Sequence, residues 1–438
     1  MNVEVIVRID GREVAQLAAP VDTNQALTLE LQTEQLKHRL GQVLLEVGFE
    51  DLARNLRRPC CCGHPMHNKG RRLITVTSHS GEITVSRNRY RCRQCGAWQT
   101  PADAVICCGR HRLTRLLARN ICQLATLEHF TRLEQLLADQ HGVHLGHEAM
   151  LRLVHDVGAV LEHRRLAEIE QWRAPAGSPR CWPQPEVRPR RVYVSCDGIM
   201  YCTNESEPDP RQPDQQRLLW KQMRVGCVYW QDEREHWHKR VLWGQEEDFL
   251  SFGAALFRLA CRCGYRQAEE KIFAADGGEW CWTIHQTYFA DASGVLDWYH
   301  ASQHVWSCSQ ALHPEAVMST AWAEQALALL REQGGEGLLA WLLAQRSARR
   351  GASRRAVEKL INYLQPRLDR TAYPRYRAAG WQIGTGMMES TAKQLVGIRL
   401  KGPGMHWCRE GATAVTALRA HDLNGEWHFL WQHLCLSA

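Results

Sequence analysis

Two short apolar runs in the chain each end in an Asp-Gly pair. Residues 192–201 read VYVSCDGIMY, with Asp197 followed by Gly198, and residues 271–280 read KIFAADGGEW, with Asp276 followed by Gly277. A carboxylate at the end of a buried strand needs a cation, a metal or a set of backbone donors, because burying it alone is costly. A third acid, Glu389, lies in a glycine-led helical stretch, GTGMMESTAK at 384–393. Two aspartates and a glutamate on separate elements are what a pair of Mg²⁺ or Mn²⁺ ions takes. Hard cations prefer carboxylate oxygens, and two of them about 4 Å apart activate an attacking oxygen and stabilise the leaving one in an in-line phosphoryl displacement. Lys393 shares a helix face with Glu389 one turn on, where it suits a phosphate. Taken singly, an Asp-Gly pair is a turn and a lone carboxylate a cap, so the reading rests on all three acids together.

A second constellation is built on sulfur. CCCGHPMH at 60–67 and CRQCG at 92–96 flank two strand-like runs, RRLITVTS and EITVSRNRY, which meet at the turn His79-Ser80-Gly81. Cysteine pairs on two tight turns around a hairpin form the zinc-ribbon pattern, in which a tetrahedral Zn²⁺ takes four thiolates or imidazoles and keeps no open position. Cys92 and Cys95 have the usual spacing. The first pair is open: Cys60 with Cys62 is one residue short, whereas Cys61 with His64 has the regular spacing. Gly63 after Cys62 mirrors Gly96 after Cys95 and favours Cys60 and Cys62, and buried free thiols are the bland alternative.

The remaining composition bounds the answer. A chain of 438 residues has room for two or three domains. The net charge of +7 is mildly basic and local, in RPRR at 188–191 and in RSARRGASRR at 346–355, where Arg349, Arg350, Arg354 and Arg355 could meet a phosphate backbone or simply be solvated. Eighteen cysteines without an apolar leader point to thiols in a reducing cytosol, and no run is long enough to span a bilayer. The expectation is a cytoplasmic chain with no membrane partner.

These groups need elements to hold them. Residues 1–56 read as one or two strands and an amphipathic helix with leucines at helical spacing, 57–108 as the zinc ribbon, and 109–174 as helices. Within the last, 130–160 has the helix, glycine turn, helix order of a DNA-binding helix-turn-helix, and a plain bundle is equally consistent. Residues 175–190 carry five prolines and read as a linker, and 426–438 as a tail. From 191 the order is three strands (192–196, 224–230, 239–244), helix, strand, helix, strand. That order suggests an α/β domain over 191–425, a mixed sheet of RNase H-like arrangement whose first strand is central and whose fourth lies beside it, with a helical insertion at about 315–370. Asp197 and Asp276 would then be neighbours.

With those residues in view, the chain resembles the ISKra-type bacterial insertion-sequence transposases, of the DDE class and related to Mutator-like elements. The likeness is carried by the string around Asp197, DGGEW at 276–280, the motif Asp297-x2-His300-x3-His304, and most specifically GMMES…K…R-x-KGPGMHW at 386–407. It covers roughly residues 55–425. The resemblance implies an RNase H-like core with Asp197, Asp276 and Glu389 as catalytic, metal-binding acids, and it places Asp297, His300, His304, Lys393, Arg399 and Lys401 near the active centre or the DNA. The family's first zinc knuckle has two residues between its cysteines, whereas here Pro59 stands where the first would fall. The implied function is cleavage of the element's own terminal inverted repeats and joining of the freed 3′ hydroxyls to target DNA, with Mg²⁺ or Mn²⁺ as cofactor and a structural zinc. The implied partners are double-stranded DNA and further copies of the chain, in a dimer or higher oligomer associated with the nucleoid when bound. A domesticated, non-catalytic DNA-binding protein and an RNase H-like structure-specific nuclease are the alternatives.

Overall fold

The computed structural model describes residues 2–23, 25–172, 183–245, 248–434 and 436. Residues 173–182, which include the first half of the expected proline-rich linker, lie outside them, as do 246 and 247. The chain divides into two compact units, Met1–Leu161 with Glu426–Ala438, and Glu162–Gly425. Among the described residues no helix is long and apolar enough to cross a membrane.

The first unit opens with an antiparallel pair, β1 (Asn2–Ile9) and β2 (Arg12–Pro20), and the 30-residue helix α1 (Ala26–Asn55). The expected hairpin is β3 (Met66–Ser78) and β4 (Gly81–Cys92), paired from Met66 opposite Cys92 to Ser78 opposite Gly81. With β5 (Trp98–Gln99), β6 (Cys107–Cys108) and β7 (His111–Thr114) it makes a sheet in the order β5-β4-β3-β7-β6. Alternate residues Ile74, Val76, Ile83 and Val85 point to one face and are buried. Ala53, Leu45 and Phe49 of α1 close over them, so the amphipathic helix covers this sheet with its carboxyl-terminal end. Its Leu27, Leu31 and Leu44 stay exposed. After the single turn α2 (Asp103–Ile106) come α3 (Arg115–Ala125), α4 (Phe130–His141) and α5 (His147–Trp172), of which α4 and α5 are the helix, glycine turn, helix pair expected from sequence.

The second unit is built on a mixed sheet in the order β10-β9-β8-β11-β12. Strands β8 (Arg191–Asp209), β9 (Gln212–Gln231) and β10 (Trp237–Gly244) are antiparallel neighbours, and β11 (Glu270–Ala275) and β12 (Ser293–Leu296) run parallel to β8. The first strand of the unit is central and the fourth lies beside it, as expected. One expectation is corrected: β8 does not end at Cys196 but continues through Asp197 and Gly198 to Asp209, because β9 pairs with it along almost its whole length. What ends at Ser195 is only its pairing with β11. Helices α6 (Phe249–Arg262), α7 (Glu279–Tyr288) and α8 (Trp298–Leu312) follow their strands. The helical insertion is α9 (Ala316–Ser347), which breaks at Gly334, then α10 (Gly351–Leu364), a 3₁₀ stretch (Gln365–Arg370) and α11 (Tyr373–Ala378). The carboxyl-terminal motif forms α12 (Gly386–Ala392), a π-helical turn (Lys393–Gly397) and α13 (Ile398–Leu400), followed by the buried helix α14 (Arg409–Leu423).

Candidate active site and metal centre

The parallel strands carry three acids to one level. Ala274 stands beside Ser195 and Ala275 beside Leu296. Two residues on in β8 and one in β12, the same register brings Asp197, Asp276 and Asp297 side by side, Asp276 and Asp297 just past the ends of β11 and β12 and Asp197 within β8 just past its pairing with β11, roughly 5 Å apart from strand to strand. The Gly198 N–H donates to Asp197 Oδ1 (2.6 Å), and the Gly278 N–H donates to Asp276 Oδ1 (2.9 Å). The glycines after each aspartate thus leave one carboxylate oxygen of each bonded. Burial pushes the Asp197 carboxyl above its ordinary value, against the Gly198 N–H that lowers it. The charges of Asp276 and Glu389 add to the rise, and His300 opposes it. A carboxyl raised by neighbouring carboxylates is one that a cation would stabilise.

Sequence reasoning missed two features of this row. The Cys281 thiol, buried in α7, donates toward Cys196 O (3.6 Å) and Asp276 Oδ1 (3.8 Å), and the Trp282 ring N–H donates to Asp276 O (2.7 Å). Arg367, at the end of the insertion, donates to Gly277 O (2.9 Å), so the insertion holds the loop after Asp276. His304 stacks on Tyr363 with ring centroids 3.6 Å apart, and burial, with Arg367, His300 and Lys359, pulls its pKa down. Its ring thus packs from α8 against the insertion.

Asp297 is fully buried and satisfied from three sides. Its backbone N–H reaches Ala275 O (2.9 Å). Its Oδ2 accepts from the His300 N–H (3.0 Å) and bonds His300 Nδ1 (2.9 Å), and its Oδ1 accepts from the Thr385 N–H (2.7 Å). Burial pushes this carboxyl up, but the hydrogen bonds from His300 and Thr385 outweigh it and hold it below the usual range. The bond to Asp297 raises the His300 pKa in turn, against burial, and Asp276 and Asp197 add to the rise. Thr385 precedes α12 and its carbonyl accepts from the Glu389 N–H (2.9 Å). One carboxylate thereby ties the helix that carries the third acid to the strand beside Asp276.

Glu389 and Lys393 are both exposed, four residues apart. The π-helical turn beyond them frees two carbonyls, Gln394 O and Leu395 O, and buried Arg419 of α14 donates to both (2.8 and 3.2 Å to its Nε). Arg399 does not reach the surface: it is 2 % exposed, with its guanidinium 4.7 Å from the Trp407 ring. Lys401 is exposed. In the basic run, Arg354 pairs with Glu358 (2.9 Å) and Arg349 bonds Gln345, leaving Arg350 and Arg355 exposed to solvent.

The first unit holds the tighter cluster. Among the described residues, Cys60, Cys62, Cys92 and Cys95 are the group of potential ligands whose donor atoms all lie within 4.8 Å of one another; the acids of the second unit stand farther apart. Cys60 Sγ is 3.2 Å from Cys95 Sγ, and Cys62 Sγ is 3.6 Å from both Cys92 and Cys95. A tetrahedral zinc at about 2.3 Å from each sulfur needs sulfurs about 3.8 Å apart, so the four thiols fit that ion. The first knuckle is shorter because its turn closes from Gly63 N–H to Cys60 O, one residue sooner than Gly96 N–H to Cys92 O, and both glycines take the positive φ (80° and 74°) that side chains disfavour. The Ala97 N–H, then the Cys60 and Cys62 thiols, bring the Cys95 thiol down to about 6, and the Cys95 N–H holds Cys92 below its usual value. His64 instead turns its Nδ1 to Cys62 O, and Cys61 is exposed.

No protein-family model matches the chain, and no curated protein sequence matches it. Among solved structures, the Drosophila P element transposase strand transfer complex is similar over 73% of this chain and 81% of that chain, at 9% identity and a TM-score of 0.23, a likeness too loose to carry an argument.

Proposed function

We propose that the chain is a DDE transposase of the ISKra type that cuts element ends and joins them to target DNA. The observation that carries this reading is the acid row: Asp197 and Asp276 side by side where the parallel pairing of β8 and β11 stops, with Glu389 adding to the charge felt by Asp197. The sheet order, first strand central and fourth beside it, with a helical insertion before the third acid, supports an RNase H-like core. Asp197, Asp276 and Glu389 offer only oxygen donors, which suits Mg²⁺ or Mn²⁺, and the bound ions would lower the pKa of the attacking hydroxyl and stabilise the leaving one. The protein's own part is to hold these acids in register, to keep Asp276 fixed through Trp282 and Arg367, and to set exposed Lys393 and Lys401 where a phosphate strand can pass. In the first unit, a hollow of about 430 Å³ lined by Arg110, Arg112 and Arg152, the last near the start of α5, supports a DNA-binding role for the helix pair. The four-cysteine knuckles, holding zinc, brace that unit.

The test is a cleavage and strand-joining assay on a labelled element end with purified protein. Asp197→Asn, Asp276→Asn or Glu389→Gln should each reduce both steps by roughly a thousandfold or more, with little further loss on combining them, since each acid helps hold the same ions. Binding to the end should persist. A Glu389→Gln protein that still cuts at near wild-type rate would overturn the assignment of the third acid.

A further inference from the structure

Beside the acid row, Tyr229, Trp237, Trp298, Tyr299, Trp381 and Arg377 line a hollow of about 430 Å³. The geometry points to a stacking pocket for one unstacked nucleobase of the bound DNA strand. This inference rests on the reading of the site as a DNA-processing centre and adds to it the base that the site holds.

Four observations carry it. The hollow abuts the acids through the chain itself: Trp298 and Tyr299 directly follow Asp297, and the lining glycines 384 and 386 flank Thr385, which is bonded to Asp297. Two of its rings are open to solvent, Tyr299 being 57 % and Trp237 36 % exposed, whereas Tyr229 is buried behind them. Tyr299 lies against a glycine because nothing larger fits: a Cβ on Gly384 would come within 2.8 Å of its ring. Lastly, the hydroxyl of Tyr229, in the wall, is buried with no hydrogen-bond partner. The occupant must therefore be flat, carry polar edges, and be attached to an anion that Arg377 can meet. A nucleobase on its phosphate has all three properties, and base-on-ring stacking tolerates any sequence. Drawing a base out of the stack costs a few kcal/mol, and a pocket that receives the base offsets that cost. An aromatic side chain of a partner protein would use the rings but would leave Arg377 idle.

The experiment uses the full chain carrying Glu389→Gln, without divalent ions, so that binding is read free of cleavage. Tryptophan fluorescence is followed while an eight-nucleotide oligothymidylate, or an abasic strand with the same phosphates, is added. The base-bearing strand should quench the fluorescence and bind roughly 5- to 150-fold more tightly than the abasic one, the range for one stacked base. Tyr299→Ala combined with Trp237→Ala should remove that difference while blunt duplex binding stays unchanged, and Tyr299→Phe, which keeps the ring, should preserve it. Equal affinity for the two strands, or a double variant that still discriminates between them, would overturn the pocket. Either result leaves the cleavage assay untouched, so the pocket can fail while the acid row stands, and the reverse.

Discussion

Asp297 shows how much one buried residue organises. Its carboxylate accepts from the N–H that begins the α12 segment and from both groups of His300, and its own N–H bonds the strand that ends at Asp276. Because its folded pKa lies below the ordinary carboxylate value, its contribution is present above about 4 and is lost as pH falls through the folded value. His300 has the opposite sign: its raised pKa contributes fully below about 6.5 and is lost as pH rises through the folded value. The pair is therefore complete between about pH 4 and 6.5. Asp297→Asn keeps the shape and removes the charge, so it should cost about 2 kcal/mol, a charge-assisted bond being worth roughly 1.5–3 kcal/mol. It should also bring the His300 pKa down. Imidazole NMR titration reads this directly, and an unchanged His300 would contradict the account. The motif Asp297-x2-His300 was visible in the sequence only through its likeness to the family's element, and its role as the cap of its own helix is what the structure adds. Thr385 was not visible, being 88 residues away and held by its backbone N–H, which no side-chain pattern records.

The elements repeat this division between local and distant causes. Short β-branched and aromatic runs predicted the strands that carry Asp197 and Asp276, and their order predicted which two would be adjacent. The full length of β8 stayed hidden because beyond Cys202 it reads TNESEPD, polar residues that pattern as a loop, and only pairing with β9 makes them a strand. Arg399, which the resemblance sets near the active centre or the DNA, is buried with its guanidinium over the Trp407 ring, a packing that the basic motif alone does not record. The cysteine knuckles were the most legible feature, since spacing and glycines suffice. Purified protein should hold about one zinc per chain, and Cys92→Ser or Cys95→Ser should release it and loosen the β3–β4 hairpin, because the binding energy of a structural zinc is folding energy. Cys61→Ser and His64→Ala should leave the metal in place. Metal analysis with a chelator titration decides it, and zinc loss in the Cys61 variant would reverse the ligand assignment.

At the scale of the whole molecule, the chain leaves its first unit at Leu161 and returns to it at Glu426. The returning segment reads as a tail in the sequence, yet it forms a helix, Trp427–His433, whose Trp427, Leu430 and Trp431 are buried, as is Leu434 beyond it. Arg115 of α3 donates to the carbonyls of Trp431 (2.9 Å) and Leu434 (3.0 Å), closing the end of that helix where its own backbone offers no donors. Each large apolar side chain buried there contributes about 1.5–3 kcal/mol. Four of them approach the 5–15 kcal/mol that typically separates a folded domain from its unfolded chain. Removing residues 426–438 should therefore lower the melting of the first unit by roughly 10 °C or more, while a shift of about 4 °C corresponds to only about 1 kcal/mol in a domain of this size. The second unit should melt as before, because its sheet and α14 lie wholly within 162–425. Calorimetry of the truncated chain, with zinc release marking the first unit and divalent-ion binding marking the second, assigns the transitions. Trp431→Ala should give a smaller shift in the same transition. If the truncation instead lowered only the transition marked by divalent ions, the last helix would belong energetically to the acid-bearing unit, and the division of the chain drawn from its contacts would fail.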